Sequence, residues 1–218
     1  MIKAVLFDLD GTLINTNDLI IKSFKYAFKK HFNKDISREE VVKTFGEPLR
    51  DAMVRYDKDN ADLLLKLFRS FNESNHDELA SKFKGVEQGL KGLKDMGMKL
   101  AIVTSKRRNM ALRSLKLIEV FEYMDVIVCP EDTEKHKPLG DPALKACEKL
   151  NVLPEEALMV GDSHNDLLCG KNAGCKTCLV KYTALSLKEL MKYDPDYVID
   201  SVEDLIEVCK HSDEEKVV

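Results

Sequence analysis

The sequence lacks the features that mark membrane, secreted and disulfide-stabilised proteins. None of its 218 residues belongs to a run approaching ~18 consecutive apolar residues, so we expect no membrane-spanning helix. Its first residues lack the charged segment and apolar stretch of a secretory leader, and we therefore expect a cytoplasmic protein. Six cysteines are scattered over the second half of the chain, which is not the pattern of a disulfide framework.

A strong excess of charge of one sign is also absent. Lysine and arginine number 34 and aspartate and glutamate 38, giving a net charge of -4 with both signs interspersed. This composition disfavours a nucleic-acid scaffold, which would show a basic patch. We therefore expect neither a nucleic-acid nor a membrane partner, and nothing in the composition sets the oligomeric state.

Short apolar, β-branched segments alternate with helical patterns over most of the chain. Each apolar segment has the length of a fully buried strand, and apolar residues recur at helical spacing between them. This alternation predicts an α/β fold with a doubly wound, Rossmann-like parallel sheet. The predicted strands cover residues 4–7, 99–103, 126–129, 157–160, 177–180 and 197–199.

One long segment, residues 15–82, departs from this alternation. It has no strand-like run and three helical patterns, one of them opened by a capping box of Ser37 with Glu40. We predict an all-helical domain over this segment, inserted after the first strand. The α/β core then consists of residues 1–14 and 83–218.

Acidic residues follow two of the predicted strands. Asp8 and Asp10 come directly after the first strand, and Asp162 and Asp166 follow the fourth. The carboxyl ends of parallel strands share one edge of the sheet, where ligands bind, so these carboxylates should converge. They would repel one another unless a cation is bound, and oxygen ligands alone favour Mg²⁺ over Zn²⁺. The pattern predicts a magnesium site.

The same edge carries residues suited to phosphoryl transfer. Asp8 and Asp10 are two residues apart and face the same side of an extended strand, so one can act as nucleophile and the other as acid/base. Thr104 and Ser105, with a helix expected to start after them, offer hydroxyl and backbone N–H groups to a phosphate. Lys137 adds a positive charge that would neutralise the phosphate.

These segments resemble, in order, the four motifs of the haloacid dehalogenase (HAD) superfamily. The matching segments are residues 7–13, 104–105, 137–138 and 161–166. The resemblance covers essentially the whole chain, and the helical segment is similar to the cap of the subclass that inserts it after the first motif. It implies a Mg²⁺-dependent phosphohydrolase that acts on a small phosphorylated molecule or pyrophosphate through an aspartyl-phosphate.

The resemblance also assigns roles to the individual side chains. It implies that Asp8 and Asp10 are catalytic, that Thr104, Ser105 and Lys137 bind substrate, and that Asp8, Asp10 and Asp162 bind the metal with Asp166 in its outer shell.

Finer similarities point to a subgroup. Residues 13–17 and 47–49 resemble phosphoglycolate-phosphatase-like members of the superfamily, and in particular its bacterial pyrophosphatases. One departure is Gly140, where the family more often has proline, so the conformation of this loop is not predicted.

An alternative is a sugar phosphomutase of the β-phosphoglucomutase type, which would keep the four motifs and differ in its cap. A non-catalytic binding module is disfavoured, because every expected catalytic position is filled.

The remaining polar features are interpreted as surface or packing features. Residues 106–108 form a basic run that we expect on a solvated helix face, with Lys106 still able to attract anions. His164 is expected to be an exposed helix residue. Cys175 and Cys178 lead into a strand and are expected to be structural. The polar tail, residues 212–216, is expected to fray.

Overall fold

The computed structural model describes residues 1–211, and the tail expected to fray lies outside the described residues. The chain divides into two compact units, one of Met1–Ile14 with the chain from Lys82 onward and one of Asn15–Ser81. In chain order the helices and strands are β1 (Ala4–Phe7), β2 (Ile14–Asn15), α1 (Asn17–Phe32), α2 (Arg38–Val42), α3 (Leu49–Tyr56), α4 (Ala61–Leu79), β3 (Ser81–Lys82), α5 (Val86–Asp95), β4 (Lys99–Val103), α6 (Arg108–Leu117), β5 (Val126–Val128), α7 (Asp141–Leu150), β6 (Ala157–Gly161), α8 (His164–Ala173), β7 (Lys176–Val180), α9 (Leu187–Leu190), β8 (Tyr197–Ile199) and α10 (Leu205–His211).

The first unit is built on a six-stranded sheet with the order β5-β4-β1-β6-β7-β8. All its pairings are parallel, which confirms the predicted α/β fold. In the register, Phe7 of β1 pairs with Ile102 of β4 on one side and with Val160 of β6 on the other. The carboxyl ends of these three strands are therefore level, and the residues that follow them are neighbours.

The central strand is buried on both faces, as expected for a parallel sheet covered by helices. Ala4 and Leu6, two residues apart, pack in one cluster with Ala143 and Ala146 of α7. Small side chains on the helix allow it to approach the sheet closely, and burying a residue such as Leu6 stabilises the fold by about 1.5–3 kcal/mol. The sheet thus gives the strand ends a rigid support.

The second unit is entirely helical in its interior, around a core that includes two aromatic pairs. Phe24 and Phe68 make an edge contact at 5.2 Å between ring centroids, and Phe28 and Tyr56 make another at 4.7 Å. The prediction of three helical segments is incomplete, because α3 is a fourth helix. It was missed although Leu49, Ala52, Met53 and Tyr56 recur at helical spacing, because a segment of only eight residues gives a short pattern.

The capping box predicted for the second helix is present. The N–H of Glu40 donates to Ser37 Oγ at 3.1 Å, and the N–H of Ser37 donates to Glu40 Oε2 at 3.0 Å. These bonds satisfy donors that the first turn of a helix leaves without intrahelical partners.

The six cysteines are all free and buried, in agreement with the predicted absence of a disulfide framework. Cys178 lies within β7 and Cys175 directly precedes it, so neither begins a helix as a redox pair would require. Over residues 1–211, no helix combines the length and the apolar character needed to cross a membrane.

Adjacent leucines of α4 provide a matched test of the helical core. Leu64 is 0% exposed and Leu63 is 46% exposed. Replacing Leu64 with alanine should lower the free energy of unfolding by about 2–5 kcal/mol, because a cavity remains in the core. Leu63→Ala should change it by no more than about 0.5 kcal/mol. Urea unfolding followed by circular dichroism measures both, and equal effects would contradict the packing described here.

Candidate active site

The three central strands end in polar residues that are held by the sheet. The N–H of Asp8 continues the ladder of β1 by donating to the carbonyl of Val160 at 2.9 Å. The N–H of Thr104 donates to the carbonyl of Val128 at 3.1 Å. Asp162 directly follows β6. Backbone bonds thus fix Asp8 and Thr104 where the predicted strand-end site requires them.

A buried lysine bonds to two of the predicted acidic residues. Lys137, between β5 and α7, donates from Nζ to Asp8 Oδ1 and to Asp166 Oδ1, both at 2.6 Å. It also donates to the carbonyl of Val103 at 3.1 Å. Burial lowers the pKa of Lys137, but the attraction of Asp166 and Asp8 outweighs this effect and raises it above its ordinary value. Lys137 is therefore a fixed positive charge inside the site.

Three of the four predicted carboxylates form a compact buried group. Oxygen atoms of Asp8, Asp162 and Asp166 lie within 4.8 Å of one another. Burial raises the pKa of Asp8 to about 7, Lys137 opposes this shift, and Asp166 adds to it. Burial also raises the pKa of Asp162, with further contributions from Asp166 and Asp8. The three carboxylates therefore carry more negative charge, when ionised, than the surrounding residues neutralise.

Asp166 is anchored by hydrogen bonds on both carboxylate oxygens. Its Oδ1 accepts from Lys137, and its Oδ2 accepts from the N–H and the hydroxyl of Ser163 at 3.1 and 2.6 Å. The Ser163 bonds belong to the capping box that starts α8. With both oxygens engaged, Asp166 is suited to orient its neighbours rather than to bind a metal directly.

A glycine allows the first and fourth strand ends to approach each other. Gly11 has φ +88°, and a Cβ on it would lie 2.4 Å from Asp162 Oδ2. Only glycine adopts this backbone conformation readily and leaves this space. The turn after Asp10 therefore brings the first motif against Asp162.

The fourth predicted acidic residue, Asp10, lies outside the compact group. Its side chain is 26% exposed, and its Oδ1 accepts from Lys106 Nζ at 2.8 Å. The interpretation of residues 106–108 as a solvated helix face is wrong for Lys106, whose side chain is only 11% exposed. It fails because α6 begins at Arg108, so Lys106 belongs to the preceding loop.

Thr104 and Ser105 occupy that loop as well. Thr104 is buried, and its Oγ1 accepts from the N–H of Lys106 at 3.1 Å, while Ser105 is exposed. The helix expected after them is α6, which begins three residues after Ser105, at Arg108. Thr104 is consequently held by its own loop, which leaves its hydroxyl hydrogen as a donor.

Two further residues of the site, which follow β7, were not predicted from the sequence. Thr183 donates from Oγ1 to Asp162 Oδ2 at 3.2 Å. Tyr182 donates from its hydroxyl to the carbonyl of Thr12, in the first motif, at 2.8 Å. The rule that residues after parallel strands gather at one edge could have found both, had it been applied to the fifth predicted strand.

The loop that carries Lys137 is tightly packed at the unusual Gly140. A Cβ on Gly140 would lie 2.7 Å from the backbone N of Ala173, at the end of α8. The side-chain amide of Asn172 donates to the carbonyl of Pro138 at 2.9 Å. The glycine thus permits close packing of the two helices that flank the site.

His164 is half-buried rather than exposed, and its ring stacks on that of Tyr193 with 5.7 Å between the ring centroids.

The sequence is similar to those of known proteins. Residues 5–180 match the family model described as haloacid dehalogenase-like hydrolase. The chain is 50% identical to a Clostridium perfringens protein over 96% of this chain and 98% of the relative. It is 49% identical to one from Caldanaerobacter subterraneus subsp. tengcongensis, over 99% and 98% respectively. Both relatives are provisionally named pyrophosphatase PpaX.

The fold is also found among solved structures. A haloacid dehalogenase-like family hydrolase from Streptococcus pneumoniae superposes with a TM-score of 0.87 at 24% identity, covering 95% of this chain and 98% of the other. The chain therefore belongs to the haloacid dehalogenase-like hydrolases. This confirms the resemblance seen in the four motifs and the prediction of an enzyme of the hydrolase class.

The elevated pKa of Asp8 predicts a pH-dependent stability. Because the folded-state pKa is raised from 3.8 to about 7, Asp8 contributes stability at low pH that is lost as the pH rises through about 7. In the presence of chelator, the urea concentration at the unfolding midpoint should therefore decrease as the pH rises from about 5 to about 8. Asp8→Asn removes the titrating group and should reduce this fall. An equal fall in both proteins would show that Asp8 titrates normally.

Proposed function

We propose that this hydrolase removes phosphate from a diphosphate or a small phosphate ester through an aspartyl-phosphate on Asp8. The observation that carries the proposal is the buried group of Asp8, Asp162 and Asp166 around Lys137, at the carboxyl edge of the sheet. The two relatives named pyrophosphatase support a diphosphate among the substrates. Phosphoryl transfer requires mainly a nucleophile in place and compensation of charge, and this site is suited to supply both.

In the first step, a carboxylate oxygen of Asp8 attacks phosphorus while the bond from phosphorus to the leaving-group oxygen breaks. Lys137 orients the Asp8 carboxylate by its bond to Oδ1. Asp10 is more exposed than Asp8, so it can exchange protons with solvent and protonate the leaving group. Thr104 and Ser105 donate hydrogen bonds to the transferred phosphoryl group.

In the second step, a water molecule attacks the phosphorus bound to Asp8. Asp10 takes a proton from that water, the bond between phosphorus and Asp8 breaks, and inorganic phosphate leaves. Asp8 is then restored as a carboxylate, and Asp10 has completed its cycle as acid and base.

The donor set fits magnesium. Asp8 and Asp162 supply oxygens whose raised pKa values show that their negative charge is undercompensated. They would hold the ion together with Asp10, and Asp166 would orient them from the outer shell. When bound, Mg²⁺ supplies positive charge beside the transferred phosphoryl group.

We assign the unit of Met1–Ile14 with the chain from Lys82 as the catalytic core and the helical unit as its cap. The chain enters the helical unit at Asn15, five residues after Asp10 in the sequence, as expected of a cap inserted after the first motif.

The function is tested by phosphate release from pyrophosphate, phosphoglycolate and hexose phosphates, with and without Mg²⁺. We expect release from at least one of the first two. Interconversion of hexose phosphates without phosphate release would instead support the sugar phosphomutase alternative and contradict the proposal.

Substitution of the two catalytic aspartates should give distinct defects. Asp8→Asn should lower the rate at least ~10³-fold, because an amide is no nucleophile. Asp10→Asn should slow turnover by about 10²–10⁴-fold, since acid/base help is lost, while still allowing some phosphoenzyme to form. Acid quenching with radiolabelled substrate should trap label on the Asp10→Asn protein and not on the Asp8→Asn protein. Label on the latter would identify another nucleophile.

The metal assignment predicts that activity disappears in excess EDTA and returns when Mg²⁺ is added. Ca²⁺ should restore it only poorly, because Ca²⁺ does not require octahedral geometry.

Gly11→Ala should also raise the Kd for Mg²⁺ about tenfold or more, because the new Cβ displaces Asp162.

A second glycine provides the matched control. Gly97 has a similar φ of +77° but nothing within 4 Å of its Cβ position, so Gly97→Ala introduces comparable backbone strain away from the site. Calorimetric titration with Mg²⁺ should separate the two variants. Full turnover in chelator would contradict the metal assignment. Equal Mg²⁺ affinities of the Gly11→Ala and Gly97→Ala variants would contradict the role of Gly11.

A further inference from the structure

Lys106 lies beside a catalytic carboxylate but has no role in the mechanism described so far. Its side chain is 11% exposed, and its Nζ lies 2.8 Å from Asp10 Oδ1. Its backbone N–H donates to Thr104 Oγ1 at 3.1 Å, which ties it to the phosphate-binding loop. Lysines without a partner or role extend into water, so a lysine turned inward onto a catalytic carboxylate calls for an explanation.

The two lysines of the site bond to different carboxylates. Lys137 bonds to Asp8 and Asp166, on the side of the nucleophile. Lys106 bonds to Asp10, which in the proposed function protonates the leaving group. A leaving-group oxygen within hydrogen-bond reach of Asp10 lies on the order of 6–8 Å or less from the Lys106 ammonium. Its contact with Asp10 therefore puts Lys106 within reach of charged groups on the leaving group.

We propose that Lys106 binds the negative charge of the leaving group and selects substrates in which that group is anionic. This inference rests on the proposed function and narrows its substrate class. The two leaving groups that fit are the second phosphate of a diphosphate and the carboxylate-bearing alcohol of a phosphorylated hydroxy acid.

The chemistry of a lysine suits both kinds of anion. An ammonium carries three N–H donors, so a bond to Asp10 leaves donors that can bind a ligand. It acts as a point charge without the planar geometry of a guanidinium, and therefore accepts tetrahedral phosphate and planar carboxylate alike. Without Lys106, an anionic leaving group would lose this positive charge and would be repelled by the carboxylates of the site. A neutral alcohol would not experience this repulsion.

Two matched substrate pairs test the proposal. Pyrophosphate is compared with methyl phosphate, and phosphoglycolate with 2-hydroxyethyl phosphate, in which a hydroxymethyl group replaces the carboxylate. The kcat/KM ratio within each pair is measured for the wild type, Lys106→Met, Lys106→Gln, Lys106→Arg and the control Arg107→Gln. Arg107 is an exposed cation of the same loop.

We expect the wild type to favour the anionic member of at least one pair. Lys106→Met and Lys106→Gln should reduce that ratio by about 10–100-fold, the range expected for a lost hydrogen bond to a charged group. Lys106→Arg should retain most of the preference because the charge remains, and Arg107→Gln should leave it unchanged. Circular dichroism confirms that each variant is folded.

The outcomes separate this inference from the proposed function. An equal loss of kcat/KM for all four substrates would show that Lys106 only positions Asp10, and would overturn the inference while leaving the proposed function intact. A wild type without preference for either anionic member would also overturn it. A wild type that releases no phosphate from any of the four with Mg²⁺ would overturn the proposed function, and this inference with it.

Discussion

The ammonium of Lys137, bonded to Asp8 and Asp166 inside the protein, is the contact on which the rest of the site depends. These two carboxylates and Asp162 form one buried group, so with all groups ionised the cluster of three carboxylates and Lys137 carries a net charge of -2. Burying unpaired charge is costly, and the raised pKa values of Asp8 and Asp162 express that cost. We propose that a divalent cation completes this balance of charge.

The fold makes this concentration of charge possible. Lys137 and Asp8 are 129 residues apart in the chain. They meet because Lys137 also bonds to the carbonyl of Val103 at the end of β4, and β4 is paired with β1. The parallel ladder holds the backbone of Asp8 in place, and the glycine at position 11 removes the side chain that would separate it from Asp162. A rigid sheet edge thus holds together carboxylates that would otherwise separate, which is the preorganisation that catalysis of phosphoryl transfer uses.

Much of this could be predicted from the sequence, because buried strands and the polar residues after them leave a strong local signal. All six predicted strands are present, and residues 8, 162 and 166 meet as expected. The bonds of Lys106 to Asp10 and of Thr183 to Asp162 were not predicted. The first depends on where the loop after β4 turns, and a run of basic residues gives no local signal of that. The second lies after β7, where the rule for residues that follow parallel strands was not applied. The short α3 was missed for a different reason, since its eight residues give only a short periodic pattern.

The central claim is that the carboxylate group lacks compensating charge until a cation binds. It is tested most directly by the number of protons released when Mg²⁺ binds near pH 6.5, obtained from calorimetric titrations in buffers of different ionisation enthalpy. Because the pKa of Asp8 is raised to about 7 and that of Asp162 is also raised, the account predicts that binding releases protons into the solvent. Binding of Mg²⁺ without proton release would show that these carboxylates are already ionised, and would contradict the account.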